Sequence, residues 1–327
     1  MSPFTSDTHQ SIATLGEVEL IKRIRDWLGD ANPAPPEGIG DDCARFQPSR
    51  NDVRQLVTTD PVIYGYHFDD QLSPEQTAGK LAKRNLSDVA AMGGTPRIAT
   101  VSLALPQNVS IAWIQRFYET LSKLGRRYRF QIVGGDISGS DGFLGAFLTL
   151  IGETEPGHPG LLRHRAQPGS PLYVSGAIGG TRLCKHYDFE PRLEEGRWLA
   201  RSGACLSCTD LSDGLGKDLK NILSPTTGCS IDCALLPISD DAIRTSKDSG
   251  HTKFHHAFND GEDYELLFAL DPKADLREFE AAWSGNFDTP LTRIGTFDAL
   301  GSGSEESPLK LINAPDSLHV SGYEHLR

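Results

Sequence analysis

The sequence lacks a G-x-x-x-x-G-K-[ST] run, which removes the phosphate-cradling P-loop as a simple route to nucleotide binding. It also lacks the strand lysine, H-R-D and D-F-G set of the protein kinases. No internal repeat is visible. No apolar run approaches the ~20 residues needed to span a bilayer. The segment from Met1 to Thr14 is polar, without the basic and apolar regions of a signal peptide, so cytoplasmic residence is expected. Basic residues are outnumbered, with 32 Lys and Arg against 44 Asp and Glu and a formal net charge of −12. That balance argues against a broad nucleic-acid surface and leaves small anions to local cations, backbone amides or metal. At 327 residues the chain is long enough for two domains, each with its own core.

Aspartates stand out against these gaps. Asp41 and Asp42 lie in Gly38-Ile39-Gly40-Asp41-Asp42, Asp60 in Thr58-Thr59-Asp60, and Asp88 in Asn85-Leu86-Ser87-Asp88. Asp136 follows Gly134-Gly135, and Asp210 and Asp213 bracket Leu211-Ser212. Each alone reads equally well as a turn or cap residue, because Asp and Gly favour such positions. Together, on rigid elements and without evident Lys or Arg partners, such carboxylates repel unless a hard cation neutralises them. Mg²⁺ prefers oxygen ligands and shares them with substrate phosphates, so the pattern points to magnesium-dependent phosphate chemistry.

Six cysteines include Cys205-x-x-Cys208 and Cys229-x-x-x-Cys233, spacings that resemble half of a zinc site or a redox pair. Cys229 and Cys233 flank Ile231, Ala234 and Leu235, where free cysteines pack as small hydrophobes. Packing is the expected role.

The apolar spacing predicts a helix over 17–28 stopped by Gly29. A strand over 55–59 should end at Asp60, with Pro61 blocking continuation. Ser73 to Met92 is the clearest helix, with Ser73 and Gln76 forming a capping box and Gly93-Gly94 ending it. On its apolar stripe stand Asn85 and Asp88, polar groups that need partners if buried. A strand over 98–105, a helix over 111–128, a short strand over 131–133 and a strand over 143–152 complete a β, α, β, α, β, β order. This is an α/β or α+β arrangement with helices packed on a sheet. Pro and Gly cluster at 153–160, so a first domain over 1–153 and a second over 154–327 are expected. Beyond it, 171–175 should be a strand, 213–223 helical and 264–268 a strand, and 301–307 a loop. Gly176-x-x-Gly179-Gly180 follows a strand but lacks the dinucleotide fingerprint and reads as a structural turn.

Taken as a set, these segments resemble the thiamine-monophosphate kinase family, within the superfamily of aminoimidazole-ribonucleotide synthetase and selenophosphate synthetase. The resemblance rests on Gly38-Ile39-Gly40-Asp41-Asp42-Cys43-Ala44, Thr58-Thr59-Asp60 followed by Gly65-Tyr66-His67-Phe68, and Asn85-Leu86-Ser87-Asp88-Val89-Ala90-Ala91-Met92-Gly93. It continues through Gly134-Gly135-Asp136, Asp210-Leu211-Ser212-Asp213-Gly214-Leu215 and Gly261-Glu262-Asp263-Tyr264-Glu265-Leu266, in family order. It implies a two-domain fold of mixed sheets flanked by helices, and ATP-dependent phosphorylation of thiamine monophosphate to thiamine diphosphate. It also implies a homodimer formed through the N-terminal sheets.

By motif position, Asp42, Thr58, Thr59, Asp60, Asp88, Asp136, Asp210 and Asp213 correspond to the magnesium ligands. Tyr118, Gly135, Asp136, Arg163 and Ser212 correspond to the ATP contacts, and His67, Glu262 and Tyr323 to the thiamine-phosphate contacts. No general base is implied, since the attacking phosphate oxygen is already anionic. The chain departs from the family at Asp260, where Gly-Gly usually precedes Glu-Asp-Tyr-Glu, and at Ser170, which replaces an Asp. Ile137-Ser138 replaces Thr-Thr, and the 180–191 connection is short. Two rivals stay open: another ATP-dependent phosphoryl transferase of the superfamily, and a metal- or nucleotide-binding protein without turnover.

Overall fold

The structure is a computed structural model that describes residues 2–34, 39, 48–300 and 307–323. Asp41 and Asp42 lie outside the described residues. The chain divides into two compact units, Met1–Val89 with Thr95–Gly157, and Ala90–Gly94 with His158–Arg327.

In the first unit, α1 (Gly16–Leu28) precedes β1 (Gln55–Ile63), α2 (Pro74–Ala91), β2 (Gly94–Leu105), α3 (Ile111–Tyr128), β3 (Gln131–Gly139) and β4 (Gly145–Thr154). The strands form a mixed sheet in the order β1-β4-β2-β3. β1 runs antiparallel to β4, and β2 runs parallel to β3, with α3 as the crossover that a parallel pair requires. Helix α2 starts with the expected capping box: the Ser73 amide donates to Gln76 Oε1 (2.8 Å) and the Gln76 amide donates to Ser73 Oγ (3.2 Å). Leu81, Leu86 and Val89 of α2 and Ile114, Phe117 and Leu121 of α3 are buried with Val101, Leu103, Leu148 and Leu150 of the sheet. Burying such side chains stabilises the unit by roughly 1.5–3 kcal/mol each.

Two expectations need correction here. Strand β1 continues through Asp60 and Pro61 to Ile63, with Pro61 level with Phe147. Proline is tolerated because, among the described residues, β1 is the outermost strand, so its nitrogen faces away from the β4 ladder. Strand β3 does not end at Val133; pairing with β2 carries it through Gly134-Gly135-Asp136 to Gly139. Gly135 is needed for that pairing, because a Cβ there would collide with the Val101 carbonyl oxygen.

The second unit holds β5 (Pro171–Ser175), α4 (Leu193–Ser202), β6 (Cys205–Asp210), α5 (Leu215–Ile222) and β7 (Thr227–Asp232). It continues with α6 (Asp240–Thr245), α7 (Lys253–Asn259), β8 (Leu266–Leu270), α8 (Leu276–Asn286), β9 (Leu291–Ala299) and β10 (Leu309–Ile312). Its sheet runs β10-β7-β9-β5-β8-β6 and is also mixed, with β10 parallel to β7 and antiparallel pairs elsewhere. Leu211, Leu215, Leu219, Phe258, Leu267, Ile294 and Phe297 form its core together with Cys229 and Cys233, the packing role expected of those cysteines. The strand expected over 264–268 begins instead at Leu266, because Tyr264 adopts a left-handed backbone (φ 52°) that no strand continues through. The helix expected from Asp213 starts at Leu215, after the Asp213-Gly214 turn.

Among the described residues no helix is long and apolar enough to cross a membrane.

Candidate active site

Alternation along β1 places Thr58 and Asp60 on the helix-covered face with Val62, and Thr59 on the outer face with Val57. Helix α2 then brings Asp88 to Thr58, whose hydroxyl hydrogen-bonds the Asp88 carboxylate. One turn earlier Arg84 donates to Asp60 Oδ1 (3.2 Å) and to the Pro61 carbonyl (2.9 Å). Asp60 therefore has a cationic partner, contrary to the expectation of carboxylates without one. The stripe argument for α2 holds for Asn85, fully buried with its Nδ2 donating to Leu81 O (2.9 Å), whereas Asp88 is only half-buried. Asp88 looks out from the edge of the stripe rather than from within it.

Asp136 is exposed and level with Ser102 on the outer face of the sheet, where Ser138 donates to it at 3.2 Å. Thr59 shares that face and accepts from Thr149 (3.2 Å). The sequence set thus separates in this unit into Thr58, Asp60 and Asp88 on one face, and Thr59 and Asp136 on the other, with Gly135 level with Val101. His67 sits in the turn after β1, where its Nδ1 accepts the Ile63 amide (3.1 Å). Tyr118 is 2% exposed and packs edge-on against Phe117, so its ring belongs to the core of the unit.

In the second unit, three distant segments converge. The Leu211 amide donates to Glu265 O (2.9 Å), the Tyr264 amide to Leu211 O (2.8 Å), and the Glu262 amide to Ser212 O (2.8 Å). The Tyr323 amide donates to Asp213 O (2.9 Å). Asp210, Ser212, Asp213, Glu262 and Tyr323 are thereby gathered on one stretch of main chain. Asp213 also pairs with Lys217 (2.7 Å), a second cationic partner that was not anticipated. Glu262 and Tyr264 both hold positive φ (57° and 52°), and each costs of order 1–3 kcal/mol in a non-glycine residue. The Tyr264 hydroxyl donates to Glu262 Oε1 (3.3 Å), and its ring stacks on Phe189 at 4.0 Å.

Asp218 is the site residue that motif reading missed. It accepts the Asp213 amide (3.0 Å), and burial, then Asp210 and Asp213, push its carboxyl up to about 8, against the pull of Arg163. Its signal in the sequence is faint: an acid in the first turn of an apolar helix, between Leu215 and Leu219. The shift reports first the burial of Asp218 and then the charges of Asp210 and Asp213.

Among the described residues no three His, Cys, Asp or Glu side chains converge closely enough to hold a metal ion unaided. The donors nevertheless fit Mg²⁺. They are hard oxygens on or beside helices and strands, and Asp210 and Asp213 lie close enough to buried Asp218 to raise its carboxyl further. Mg²⁺ completes its shell with water and substrate phosphate oxygens.

A second anionic system lies below Glu262. Glu265 is buried and receives Arg192 Nε and Nη2 (both 2.7 Å), Lys185 Nζ (2.8 Å) and the Ser175 hydroxyl (2.7 Å). Burial pushes its carboxyl up, but the two cations outweigh burial and hold it below the usual range.

Two mixed sheets flanked by helices place the protein in the AIR-synthase class of folds. The family model "AIR synthase related protein, N-terminal domain" matches residues 40–154. The thiamine-monophosphate kinase of Rhodopirellula baltica is 35% identical over 271 residues, covering 80% of this chain and 84% of that one. The crystal structure of thiamine-monophosphate kinase from Stenotrophomonas maltophilia K279a superposes with a TM-score of 0.72 at 28% identity, over 91% of this chain and 96% of that one. AaThiL complexed with AMPPCP and TMP superposes with a TM-score of 0.68 at 27% identity, over 95% of this chain and 97% of that one. The chain belongs to the thiamine-monophosphate kinase family.

Proposed function

We propose that this chain transfers the γ-phosphoryl group of ATP to the phosphate of thiamine monophosphate, giving thiamine diphosphate and ADP. The observation that carries the reading is the gathering of Asp210, Ser212 and Asp213 with Glu262 and Tyr323 on hydrogen-bonded main chain. It sets carboxylates suited to phosphate-bound metal beside the loop proposed to contact the thiamine phosphate. A relative solved with an ATP analogue and TMP supports the same pair of ligands.

The transfer is direct and in line, because the acceptor oxygen is already anionic and needs no strong base. Asp60 and Asp88 with Thr58, and Asp210 and Asp213, would hold Mg²⁺; Thr59, Asp136 and Asp42 are assigned to the same role. When bound, Mg²⁺ neutralises charge on the two polyanions and on the transferred group. Arg163, Gly135 and Ser212 are assigned to ATP. We assign Tyr118 to the core instead, since its side chain is buried there.

With Nδ1 accepting the Ile63 amide, a neutral His67 carries its proton at Nε2 and offers a donor to the thiamine phosphate. The outer face of the first unit's sheet carries Val57 (72% exposed), Phe147 (36%) and the half-buried Ile151. We assign this apolar patch to a homodimer contact, since exposed apolar side chains of this kind are stabilised by covering. Use of ATP and five free cysteines among the described residues fit a cytoplasmic enzyme.

The test is incubation of the purified protein with ATP, Mg²⁺ and thiamine monophosphate, followed by chromatography for thiamine diphosphate. Product that disappears with EDTA is expected. ATP hydrolysis or binding without thiamine diphosphate would reject the substrate.

A further inference from the structure

Helix α7 ends on Asn259 and Asp260, and each side chain grips the main chain of a different segment. Asn259 Oδ1 accepts from the amides of Ser321 and Gly322 (both 2.9 Å) and from the Ser321 hydroxyl (3.1 Å). Its Nδ2 donates to His319 O (2.9 Å) and His255 O (3.0 Å). The segment so held runs directly into Tyr323, which Lys217 meets from the other side through the Tyr323 carbonyl (3.1 Å).

Asp260 Oδ2 accepts the Gly180 amide (3.0 Å), and His256 Nδ1 lies 3.0 and 3.1 Å from its two oxygens. Thr181 clasps the next residue, donating to Gly261 O (2.7 Å), and Glu262 follows in its left-handed conformation. A carboxylate at a helix C-terminus faces the negative end of the helix dipole. This one is 9% exposed as well, so it is retained against both dipole and burial. Partners on the Gly176–Gly180 turn and on α7 offset those costs.

His256 is oriented in turn, with Ser249 Oγ 2.8 Å from its Nε2. Ser249, His256 and Asp260 follow the order of a hydrolytic triad, yet the His251 amide donates to Ser249 Oγ itself (3.2 Å). An amide directed at the nucleophile is not available to an oxyanion, so this chain of bonds orients rather than cleaves.

We propose that Asn259 and Asp260 are positioning residues which set, from one helix end, both arms of the thiamine-phosphate pocket: Tyr323 through the 319–322 segment, and Glu262 through the 260–261 turn. The proposal rests on the substrate reading above.

The test compares Asn259→Ala, Asn259→Asp, Asp260→Ala and Asp260→Asn in the full chain. Each Ala variant should raise the KM for thiamine monophosphate about tenfold, the equivalent of one or two lost hydrogen bonds, and leave the KM for ATP and kcat close to wild type. Asn259→Asp keeps the acceptor for Ser321 and Gly322, and Asp260→Asn keeps the acceptor for Gly180; both should recover most of the loss. Amide exchange should speed up at Gly322 in Asn259→Ala and at Gly180 in Asp260→Ala, and stay slow in the conservative variants. Equal changes in both KM values, unchanged kinetics, or unchanged exchange would overturn the proposal. Wild-type protein that makes no thiamine diphosphate would reject the substrate reading alone, and exchange at Gly180 and Gly322 would still decide the tethers. Should an Ala variant fail to fold, the conservative pair carries the comparison, with unchanged exchange and a raised KM counting against it.

Discussion

The Gly179 amide donates to Asp263 Oδ1 at 2.7 Å, and the other carboxylate oxygen of Asp263, fully buried, has no hydrogen-bond partner among the described residues. Burial pushes this carboxyl up to about 7, against the pull of Lys185 and the Gly179 amide. From about 4, its ordinary value, up to about 7, the folded protein keeps a proton that the unfolded chain releases. This group's contribution therefore falls as pH rises through that window. Asp263→Asn should flatten the fall and leave the variant more stable than wild type at pH 8, measured by urea unfolding at several pH values. A wild-type-like pH slope in the variant would show that Asp263 ionises freely.

Glu265 has the opposite sign. Its carboxyl is held low by Lys185 and Arg192, so its contribution is present above the ordinary carboxylate range and is lost as pH falls through the lowered value. Glu265→Ala leaves two cations facing a buried void and should cost roughly 3–5 kcal/mol. Thermal unfolding of Glu265→Ala beside the Lys185→Met/Arg192→Met/Glu265→Leu triple variant separates the lost pairs from the unpaired charges. A single variant as stable as wild type would refute this account.

Asp88→Asn and Asp60→Asn should each lower kcat by at least about a hundredfold, in line with loss of a charge-stabilising ligand. Neither side chain is fully buried, so unfolding temperatures should stay near wild type. Steady-state assays with saturating Mg²⁺ make the check, and wild-type turnover in either variant would remove that residue from the metal set.

Gly135→Ala tests the β2–β3 register. A methyl group there collides with the Val101 carbonyl, and main chain cannot step aside as a flexible side chain would. Destabilisation of about 2 kcal/mol or more is expected by chemical denaturation. A neutral effect would mean that the strands pair differently around the Ala99/Thr100 bulge.

His67→Ala should raise the KM for thiamine monophosphate more than that for ATP. The substitution also removes the acceptor for the Ile63 amide, so His67→Asn, which keeps a side-chain acceptor, is the better comparison. Equal effects on both substrates would take His67 out of the phosphate site.

Much of the first unit was legible in the sequence because its signals are local. The α2 capping box, the apolar period of α3 and the β, α, β, α, β, β order each depend on neighbours a few residues apart. Pro61 misled because its tolerance depends on the place of β1, outermost among the described strands, in the assembled sheet. In the second unit α4, α8, β6, β7, β9 and β10 were not foreseen. Strands β6 and β7 are short, and the apolar faces of α4 and α8 are interrupted by charged residues. The motifs proposed the candidate residues of the site. They could not show that Arg84 and Lys217 answer two of its carboxylates, or that Asp218 lies beneath Asp213, because those contacts exist only after folding.

Pro61 has one more effect. The free rim of a sheet is a template on which any extended chain can lay down hydrogen bonds, and among the described residues β1 is the outermost strand of its sheet. At residue 61 that template has a missing rung, one position beyond Asp60, so a foreign strand zipping along β1 would stall beside the acidic cluster. Pro61 thereby works against edge-to-edge fusion of this sheet with another extended chain.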